Sequence, residues 1–424
     1  MNAGAGARRR EAFAQVVRLA RSGAWFRERP PRVTRIITRI VGRAMPGVLA
    51  VMSLTCSGVA TAQDPVAANE IKLPYGFYNE MFGLAGAFVY ARDGFPQKQA
   101  QLLATAMVGT AGSGMAYARA KDLRVFGSDR LSVDPVFSVG YYHDNKLYLT
   151  GNTGFPHEQA GTNDSSSENY LKGNGWDNYL RLSFRYLLPI GEGRDHVREA
   201  SDSETGRLGS DGSGGRSLNP LASGRTLLGL RPFYRSLSVS SPDFDRSQKT
   251  NGLDAELIWD NRDLVDNPSA GQSVRLSVSR DFGWLDSTNS WTFVAGELDQ
   301  YFSLGSSEKF RERVVALDVW TGTSPSWEYG PDGAITNRPP VFEGAYLGGV
   351  WRMRGYPFAR FSDKAGIYYG AEYRMTPHWN PFTKWTGVQK LVGVEWIQIV
   401  PFAELGRVAP TWDLATLHSS MKWD

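Results

Sequence analysis

The sequence EGAYLGGVWRMRGYPFARFSDKAGIYYGAEYRM, residues 343–375, contains the pattern that decides the fold. Its first part, residues 348–356, holds too many glycines for a strand and predicts a loop. Its second part, residues 366–375, changes character at every second position, with Tyr369 on one face and Glu372 on the other. This alternation predicts a β-strand, either of a soluble sandwich or of a membrane barrel whose apolar side chains face lipid.

Similar strands recur along the chain, and their length favours the membrane barrel. The chain has 424 residues, and no stretch offers the run of about 18 apolar residues that a membrane helix needs. We predict about 13 strands of about 9–12 residues, the length that crosses a bilayer at a tilt. Aromatic residues make up 12% of the chain, which is consistent with the girdles of aromatic side chains that membrane barrels carry at both membrane interfaces. The pattern therefore predicts an all-β protein, a transmembrane antiparallel β-barrel, whose closure would leave no unpaired backbone edge in lipid.

The alternation also predicts where individual strands begin and which side chains face lipid. The first strand is expected at 81–91, and residues 131–142 and 146–151 are expected to form a hairpin around Asp144-Asn145. The eleventh strand is expected at 313–322, which would put the following Gly/Pro-rich loop on the extracellular side. The residues expected to face lipid are Leu180, Leu182, Phe184, Leu257, Trp259, Leu276, Val315, Leu317, Tyr369 and Tyr373.

The chain divides into an N-terminal extension with a signal peptide, residues 1–62, and a barrel domain, residues 63–424. The extension carries 11 Arg and 2 Glu, a net charge of +9, so the rest of a chain of net charge +4 carries −5. We therefore infer no nucleic-acid partner from the overall basicity. An apolar run at 46–55 followed by Ala60-Thr61-Ala62 predicts signal cleavage after Ala62. The single Cys56 lies in the extension, so no thiol chemistry is expected in the mature chain.

Four motifs, in the order of their occurrence, resemble those of the BamA/TamA superfamily, the bacterial surface-antigen barrels. They are a turn with Asp260, Arg262, Pro268 and Gly271, a loop with Arg354, Gly355 and Tyr356, the strand 369–374, and the strand 402–406 with Phe402, Glu404 and Gly406. Glu404 stands where the family has Asp. The resemblance implies a barrel of sixteen strands, of which we expect about 13–14 in this chain, with the RGY loop folded into the lumen between strands eleven and twelve.

The resemblance also implies a function, a location and partners. It implies a barrel in the outer membrane of a Gram-negative cell that inserts or exports polypeptide through a gated barrel. Outer-membrane lipid and polypeptide clients are the partners it implies. The short stretch between Gln63 and the first strand leaves no room for the family's periplasmic POTRA modules, so no POTRA-mediated partner is expected. Residues 419–424 look like the start of a fourteenth strand, so we expect a partial sequence; a naturally short barrel is the alternative.

No catalytic site, metal site or cofactor is expected. The five histidines have no Ser or Asp partner at an informative spacing, and no metal-binding sequence pattern occurs. The acids on the lumen face are expected to pair with arginines such as Arg275 and Arg374. Two other functions stay open on the sequence alone, a passive pore for small solutes and, with less support, an outer-membrane hydrolase.

The loop and the strand after it predict one specific contact, between Arg354 and Glu404. The alternation puts Glu404 on the face opposite Leu405, toward the lumen, where a shielded carboxylate needs a cation. An arginine can bind it through its planar fork. Gly355 is expected to allow a special turn, Gly406 to leave room for the loop, and Tyr356 and Phe402 to stack beside the pair. A solvated Arg354 is the alternative.

Overall fold

The computed structural model describes residues 70–79, 81–97, 99–195, 217–264, 267–330, 335–384 and 396–424. The N-terminal extension and the predicted cleavage site after Ala62 lie outside the described residues, as does the beginning of the last strand predicted from the sequence. Within the described residues, no helix is long and apolar enough to span a membrane.

Almost all regular structure in the described residues is β-strand. The strands are β1 Glu70–Asn79, β2 Gly83–Asp93, β3 Gln101–Gly109, β4 Gly114–Lys121, β5 Leu123–Arg124, β6 Leu131–Leu147, β7 Leu171–Leu187, β8 Arg225–Ser241, β9 Phe244–Asp260, β10 Gly271–Asp281, β11 Trp291–Ser303, β12 Phe310–Thr323, β13 Glu328–Tyr329, β14 Ile335–Thr336, β15 Ala345–Leu347, β16 Phe361–Asp363, β17 Ala365–Pro377, β18 Phe402–Ala409 and β19 Lys422–Trp423. The helical segments are α1, Leu414–His418, and the 3₁₀ turns Gly191–Arg194 and Pro381–Lys384.

The strands form one antiparallel sheet of 15 strands in which chain neighbours pair in sequence order from β1 to β19. β5 pairs with β6 beside this path, and the short hairpins β13–β14 and β15–β16 lie within the connection between β12 and β17. Thirteen strands of the main path are 8–17 residues long, and β19 has 2 residues. The predicted fold class, an all-β antiparallel barrel with about 13–14 strands in this chain, is confirmed.

Alternation along each strand separates an interior face from a lipid-facing one. In β7, Tyr179 and Arg181 are buried while Leu180 between them is 43% exposed. Of the residues predicted to face lipid, those that are exposed are Leu180, Leu257, Leu276 and Leu317, and those that are half-buried are Leu182, Phe184, Val315, Tyr369 and Tyr373. Trp259 differs: it is buried because the β7–β8 connection lies against its ring. The Ser223 carbonyl of that connection accepts a hydrogen bond from its indole Nε1 at 3.0 Å.

Two predicted strand boundaries are wrong in the first half of the sheet. The first strand is β1, which precedes the predicted one and pairs with β2 along its whole length. The predicted hairpin at Asp144 does not form; β6 runs through it, with a register shift between Tyr142 and Asn145. Asp144 has φ +55°, so the Asp144-Asn145 pair, which predicted a chain reversal, forms a bulge instead of a turn. The missed strand and the extra one offset each other, so β12 is still the eleventh long strand.

The connections fall at two ends of the barrel. One end, here the outer end, holds the long connections 148–170 and 324–364; the other, the inner end, holds the connection 188–224 and the turn 261–270. The connection 324–364 therefore lies at the same end as the connection 148–170 and opposite the turn 261–270. Its extracellular position stays a prediction.

The interior has two regions of different chemistry. On the side of the first strands, apolar side chains pack against one another: Phe82, Ala85, Val89, Leu103, Met107, Met115, Tyr117, Val136, Tyr142 and Tyr179. On the side of β7 to β12, β17 and β18, the interior face instead carries buried charged residues such as Arg235, Asp318, Glu372 and Glu404. The charged region is the one that requires counter-charges from elsewhere in the chain.

The lipid-facing position of Leu317 leads to a stability prediction. Leu317 is 40% exposed on β12, opposite the buried Asp318 face, and Leu317→Arg would put a cation in hydrocarbon. We expect the free energy of unfolding in liposomes to fall by about 2–4 kcal/mol, measured by denaturant titration. The control Leu317→Met keeps an apolar side chain of similar size and should change it by less than about 1.5 kcal/mol. Equal losses for both variants would contradict the assigned face.

Candidate functional site

The connection 324–364, called here the RGY loop, enters the interior of the barrel. Its buried residues Ala345, Leu347 and Met353 belong to one apolar cluster with strand residues of the interior face, Phe233, Trp291, Phe293, Trp320, Tyr368 and Val408. Gly348 and Gly349 have φ +106° and +99°, and Met353 has φ +54°, so the chain turns sharply on both sides of Trp351. These turns bring Arg352 and Arg354 to the strand wall.

Arg354 contacts two carboxylates that project from adjacent strands. Its Nε lies 2.5 Å from Glu404 Oε1 on β18, and its backbone N–H donates to Glu404 Oε2 at 2.6 Å. Its guanidinium also donates from an Nη atom to Glu372 Oε1 on β17 at 3.0 Å. The Glu404 side chain is 0% exposed, and Tyr368 donates its hydroxyl to Glu404 Oε1 at 2.7 Å. The structure thus brings the predicted pair together, and adds Glu372 and Tyr368 to it.

Charged groups of both signs meet at this contact. Arg374 donates to Glu372 Oε2 at 3.0 Å, so two guanidinium groups face two buried carboxylates. A third carboxyl, that of Asp424, lies beside Glu404 and accepts from the Gly355 backbone N–H. The Arg354 guanidinium also lies over the Phe402 ring, 3.7 Å from its centroid, which favours a cation. Charges this deeply buried are tolerated only when they are paired and hydrogen-bonded.

Of the other residues predicted at this contact, Gly406 has the predicted role, and Gly355 and Tyr356 have different ones. A Cβ on Gly406 would lie 2.8 Å from Leu347 Cδ1 and 3.1 Å from Met353 Sδ, so this glycine leaves room for the loop. Gly355 has no left-handed φ, contrary to the expected special turn; its backbone N–H donates to an Asp424 carboxylate oxygen that a Cβ would displace. Tyr356 does not stack beside the ion pair as expected: its ring packs against Phe361 at 5.0 Å.

The turn motif at the inner end closes the β9–β10 hairpin. Arg262 donates to both carboxylate oxygens of Asp260, at 2.8 and 2.5 Å. Asp263 Oδ1 accepts from the backbone N–H of Ser269 at 2.9 Å, across the turn that contains Pro268. Gly271 has φ +92°, and a Cβ there would lie 2.0 Å from the Asn261 carbonyl oxygen. The motif is therefore built around a local ion pair and a backbone position that requires glycine.

Comparison with known proteins bears on the same residues. The family model of the Omp85 superfamily domain matches residues 143–409, which include the turn motif, the RGY loop and β18. The chain belongs to the Omp85 superfamily. This membership assigns it to the outer membrane of a Gram-negative cell.

One solved structure similar to this Omp85 chain is that of BamA from Haemophilus ducreyi lacking POTRA domains 1–3. The two sequences are 13% identical, the match covers 80% of this chain and 56% of that chain, and the TM-score is 0.41. The chain thus spans just over half the length of that solved chain. No curated protein matches the sequence.

Three further carboxylates of this Omp85 chain cluster on the interior face, where the sequence gave no metal-binding pattern. Oxygens of Glu297, Asp299 and Asp318 all lie within 4.8 Å of one another, because β11 and β12 pair Asp299 with Asp318. Arg352 of the RGY loop lies 3.4 Å from Glu297, and its guanidinium lies 4.1 Å from the centre of the Trp320 ring. The loop therefore brings a counter-charge to this cluster as well. Sequence reasoning missed Arg352, although it is two residues from Arg354.

Other acids of the interior face pair within the wall. Glu256 contacts Arg275 at 3.2 Å, as expected, and Arg374 contacts Glu372 at 2.9 Å. Asp254 contacts Arg231, whose Nε donates to it at 2.6 Å. These pairs join β8, β9 and β10, or β17 internally, so they stabilise the wall without the loop.

At its outer part the RGY loop meets the β6–β7 connection. The Ser362 backbone N–H donates to the Gly161 carbonyl at 2.6 Å, and Arg360 donates to Ser165 Oγ at 3.1 Å. Nearby, Tyr329 donates to Asp363 Oδ1 at 3.3 Å. Burial raises the pKa of the Asp363 carboxyl, and burial together with this carboxylate raises the pKa of Tyr329 to about 12. The phenol therefore keeps its proton, and with it this hydrogen bond, at neutral pH.

The turn motif leads to a second prediction. Gly271→Ala introduces a Cβ where φ is +92° and the Asn261 carbonyl oxygen is 2.0 Å away, so the turn must distort. We expect a loss of about 1–3 kcal/mol in the free energy of unfolding. The matched control is Gly86→Ala, also in a strand of the sheet, where a Cβ meets nothing within 4 Å. Denaturant titration of both variants in liposomes measures the difference; a control as damaged as Gly271→Ala would contradict it.

Proposed function

We propose that this chain is an outer-membrane barrel that inserts or exports polypeptide, and that its RGY loop latches the barrel in a closed state. Membership of the Omp85 superfamily supports the assembly or translocation class. Its partners would be outer-membrane lipid and polypeptide clients. The proposal includes no catalytic step, cofactor or metal, and no partner recruited through POTRA modules.

The observation that carries the latch is the contact of Arg354 with Glu404 and Glu372. A loop residue provides the cation for two carboxylates buried in the wall, which lie 18 and 50 residues further along the chain. Breaking such a pair leaves an uncompensated buried charge, which typically costs about 3–5 kcal/mol. An interaction of this size would hold the loop in place and would still allow release when a client supplies competing contacts.

The packing of the RGY loop inside the barrel weakens the case for a passive pore. A plain solute channel needs an open, wet lumen. Here Leu347, Met353 and Phe361 of the RGY loop pack into the interior with Trp291 and Trp320 of the wall. A loop that fills the interior and is fixed by buried ion pairs fits a gated barrel better than a permanently open one.

The function is tested with the full chain reconstituted into liposomes. A urea-unfolded outer-membrane barrel is supplied as the client, and its insertion is followed by protection from added protease. We expect insertion with the wild type and a reduced yield with Arg354→Ala. Swelling of the same liposomes in small sugars gives the second measurement. Rapid sugar flux through the wild type without client insertion would overturn the proposal in favour of a passive pore.

The latch itself is tested by a double-mutant cycle. Arg354→Ala, Glu404→Ala and the double variant are compared by barrel assembly yield. Because the Arg354 guanidinium and the Glu404 carboxylate form a buried ion pair, we expect a coupling free energy of about 1 kcal/mol or more.

The conservative variant Arg354→Lys serves as the specificity control for this cycle. It keeps the charge but cannot reach Glu404 and Glu372 through one planar fork, so we expect partial loss of assembly yield. Additive effects of the two alanine substitutions would exclude the pairing as a functional latch.

A further inference from the structure

We propose that residues 341–343 form a second clamp, which holds the RGY loop to the wall made by β7 and β8, with Glu343 as its positioning residue. This proposal rests on the proposed function of the RGY loop as a gate and adds a second point of release. The clamp is separate from the Arg354 contact, which is made with β17 and β18.

The ionic part of the clamp joins the loop to two arginines of the wall. Glu343 Oε1 lies 2.8 Å from an Nη atom of Arg181 on β7 and 3.9 Å from an Nη atom of Arg235 on β8. Arg235 is 1% exposed and donates two hydrogen bonds to Asp177, at 2.9 and 2.7 Å. Two guanidinium groups thus meet two carboxylates, one of which comes from the loop.

The loop brings charges of opposite sign to its two contacts. Arg354 brings a cation to the carboxylates of Glu372 and Glu404. Glu343 brings an anion to the guanidinium of Arg181, so removal of its charge breaks an ion pair between the loop and β7.

The apolar part of the clamp lies directly before Glu343. Val341 and Phe342 pack in one buried cluster with four wall residues, Leu147, Leu171, Leu237 and Val239, and with Leu149 of the β6–β7 connection. Phe342 is 1% exposed, and the Arg235 guanidinium lies 4.2 Å from its ring centroid. The same arginine therefore contacts the apolar and the ionic parts of the clamp, so that the two parts should dock and release together.

The two contacts make the RGY loop a bridge across the interior. Its residues 341–343 contact β7 and β8, and Arg354 contacts β17 and β18. Four strands of the main path, β9 to β12, lie between these two pairs. Release of one contact alone would leave the loop tethered to the other wall. Opening of the gate therefore requires the Glu343 contact to break as well as the Arg354 contact.

A single-cysteine probe tests the clamp in the absence of any client. Cys56 is the one cysteine of the sequence, so a Cys56→Ser background is free of thiols. Val341→Cys puts a thiol of similar size at a position that is 6% exposed in the docked loop. Its rate of reaction with a polar maleimide then reports how often residues 341–343 leave the wall.

In this background we expect Glu343→Gln to raise the labelling rate about tenfold or more, because it removes a charged hydrogen bond of the docked state. The matched control is Glu328→Gln, the same change at an exposed residue of the same loop, which should leave the rate unchanged. Because opening of the gate requires both contacts to break, Glu343→Gln should also raise the open probability in single-channel recordings from a planar bilayer, whereas Glu328→Gln should not. Heat-modifiable gel mobility confirms that each variant is folded.

Labelling rates that are equal in the Glu343→Gln and wild-type backgrounds would overturn the clamp. If Glu343→Gln does not fold, Arg181→Lys replaces it, since it keeps the wall charge and loses the contact geometry; an unchanged rate there overturns the clamp equally. The two proposals fail in different measurements. Absent client insertion with a raised labelling rate rejects the proposed function alone, whereas normal insertion with an unchanged rate rejects the clamp alone.

Discussion

The placement of the RGY loop depends on two buried carboxylates, Glu372 and Glu404, that the strand alternation directs into the interior. β17 and β18 are neighbours, so their acids lie side by side on one face. Arg374 neutralises one of them from within its own strand. For the second, Glu404, the hydrogen bond that the described part of the wall gives to its carboxylate comes from the neutral Tyr368 hydroxyl. Since an isolated buried carboxylate is costly, a cation must enter from elsewhere, and Arg354 supplies it.

This constraint explains why the loop goes to one side of the interior. The first strands face inward with apolar side chains that satisfy one another, as Phe82 does against Tyr142 at 5.9 Å. Such a surface offers nothing to an arginine-rich loop. The charged surface from β7 to β18 offers acids to Arg352 and Arg354, and arginines to Glu343. Complementary charge therefore selects the loop position, and the apolar residues between these groups fill the space.

Alternation, strand length and aromatic content together were sufficient for the fold class, and alternation was sufficient for the lipid-facing side of most strands. The strand number of β12 was correct because the missed strand β1 and the extra strand predicted at 146–151 offset each other. Alternation was insufficient where a local signal has two structural outcomes. Asp144-Asn145 favours a left-handed residue, and such a residue serves a tight turn or a bulge equally well; only pairing with β7 distinguishes them. Trp259 has the right periodicity for lipid, but a connection far along the chain covers it. Alternation reports the face of the strand and gives no information on what lies against that face.

The candidate site was predictable to the same limited depth. The Arg354–Glu404 contact could be inferred from one motif and one face, since both partners lie in recognisable segments. Arg352 with Glu297, and Glu343 with Arg181, could not be inferred, because each joins the loop to a strand without a motif. Gly355 shows a different limit. The sequence suggests that glycine is there for an unusual φ, whereas the missing Cβ in fact leaves space for Asp424. This requirement becomes visible only when the positions of both segments, the loop and the C-terminal residues, are known.

The free energy needed to release the RGY loop depends on the hydrogen-bond and ionic partners that Glu404 and Glu372 keep when Arg354 leaves. If Glu404 had no other donor, removing Arg354 would expose the full cost of a bare buried carboxylate. Tyr368 would continue to donate to Glu404, and Arg374 would continue to neutralise Glu372. On the opposite wall Asp177 would continue to hold Arg235 through two hydrogen bonds. In each case the wall keeps a partial set of partners, which lowers the energy of the released state. A wall built in this way favours the docked loop without making its release prohibitive, which is the energetic property that a gate requires.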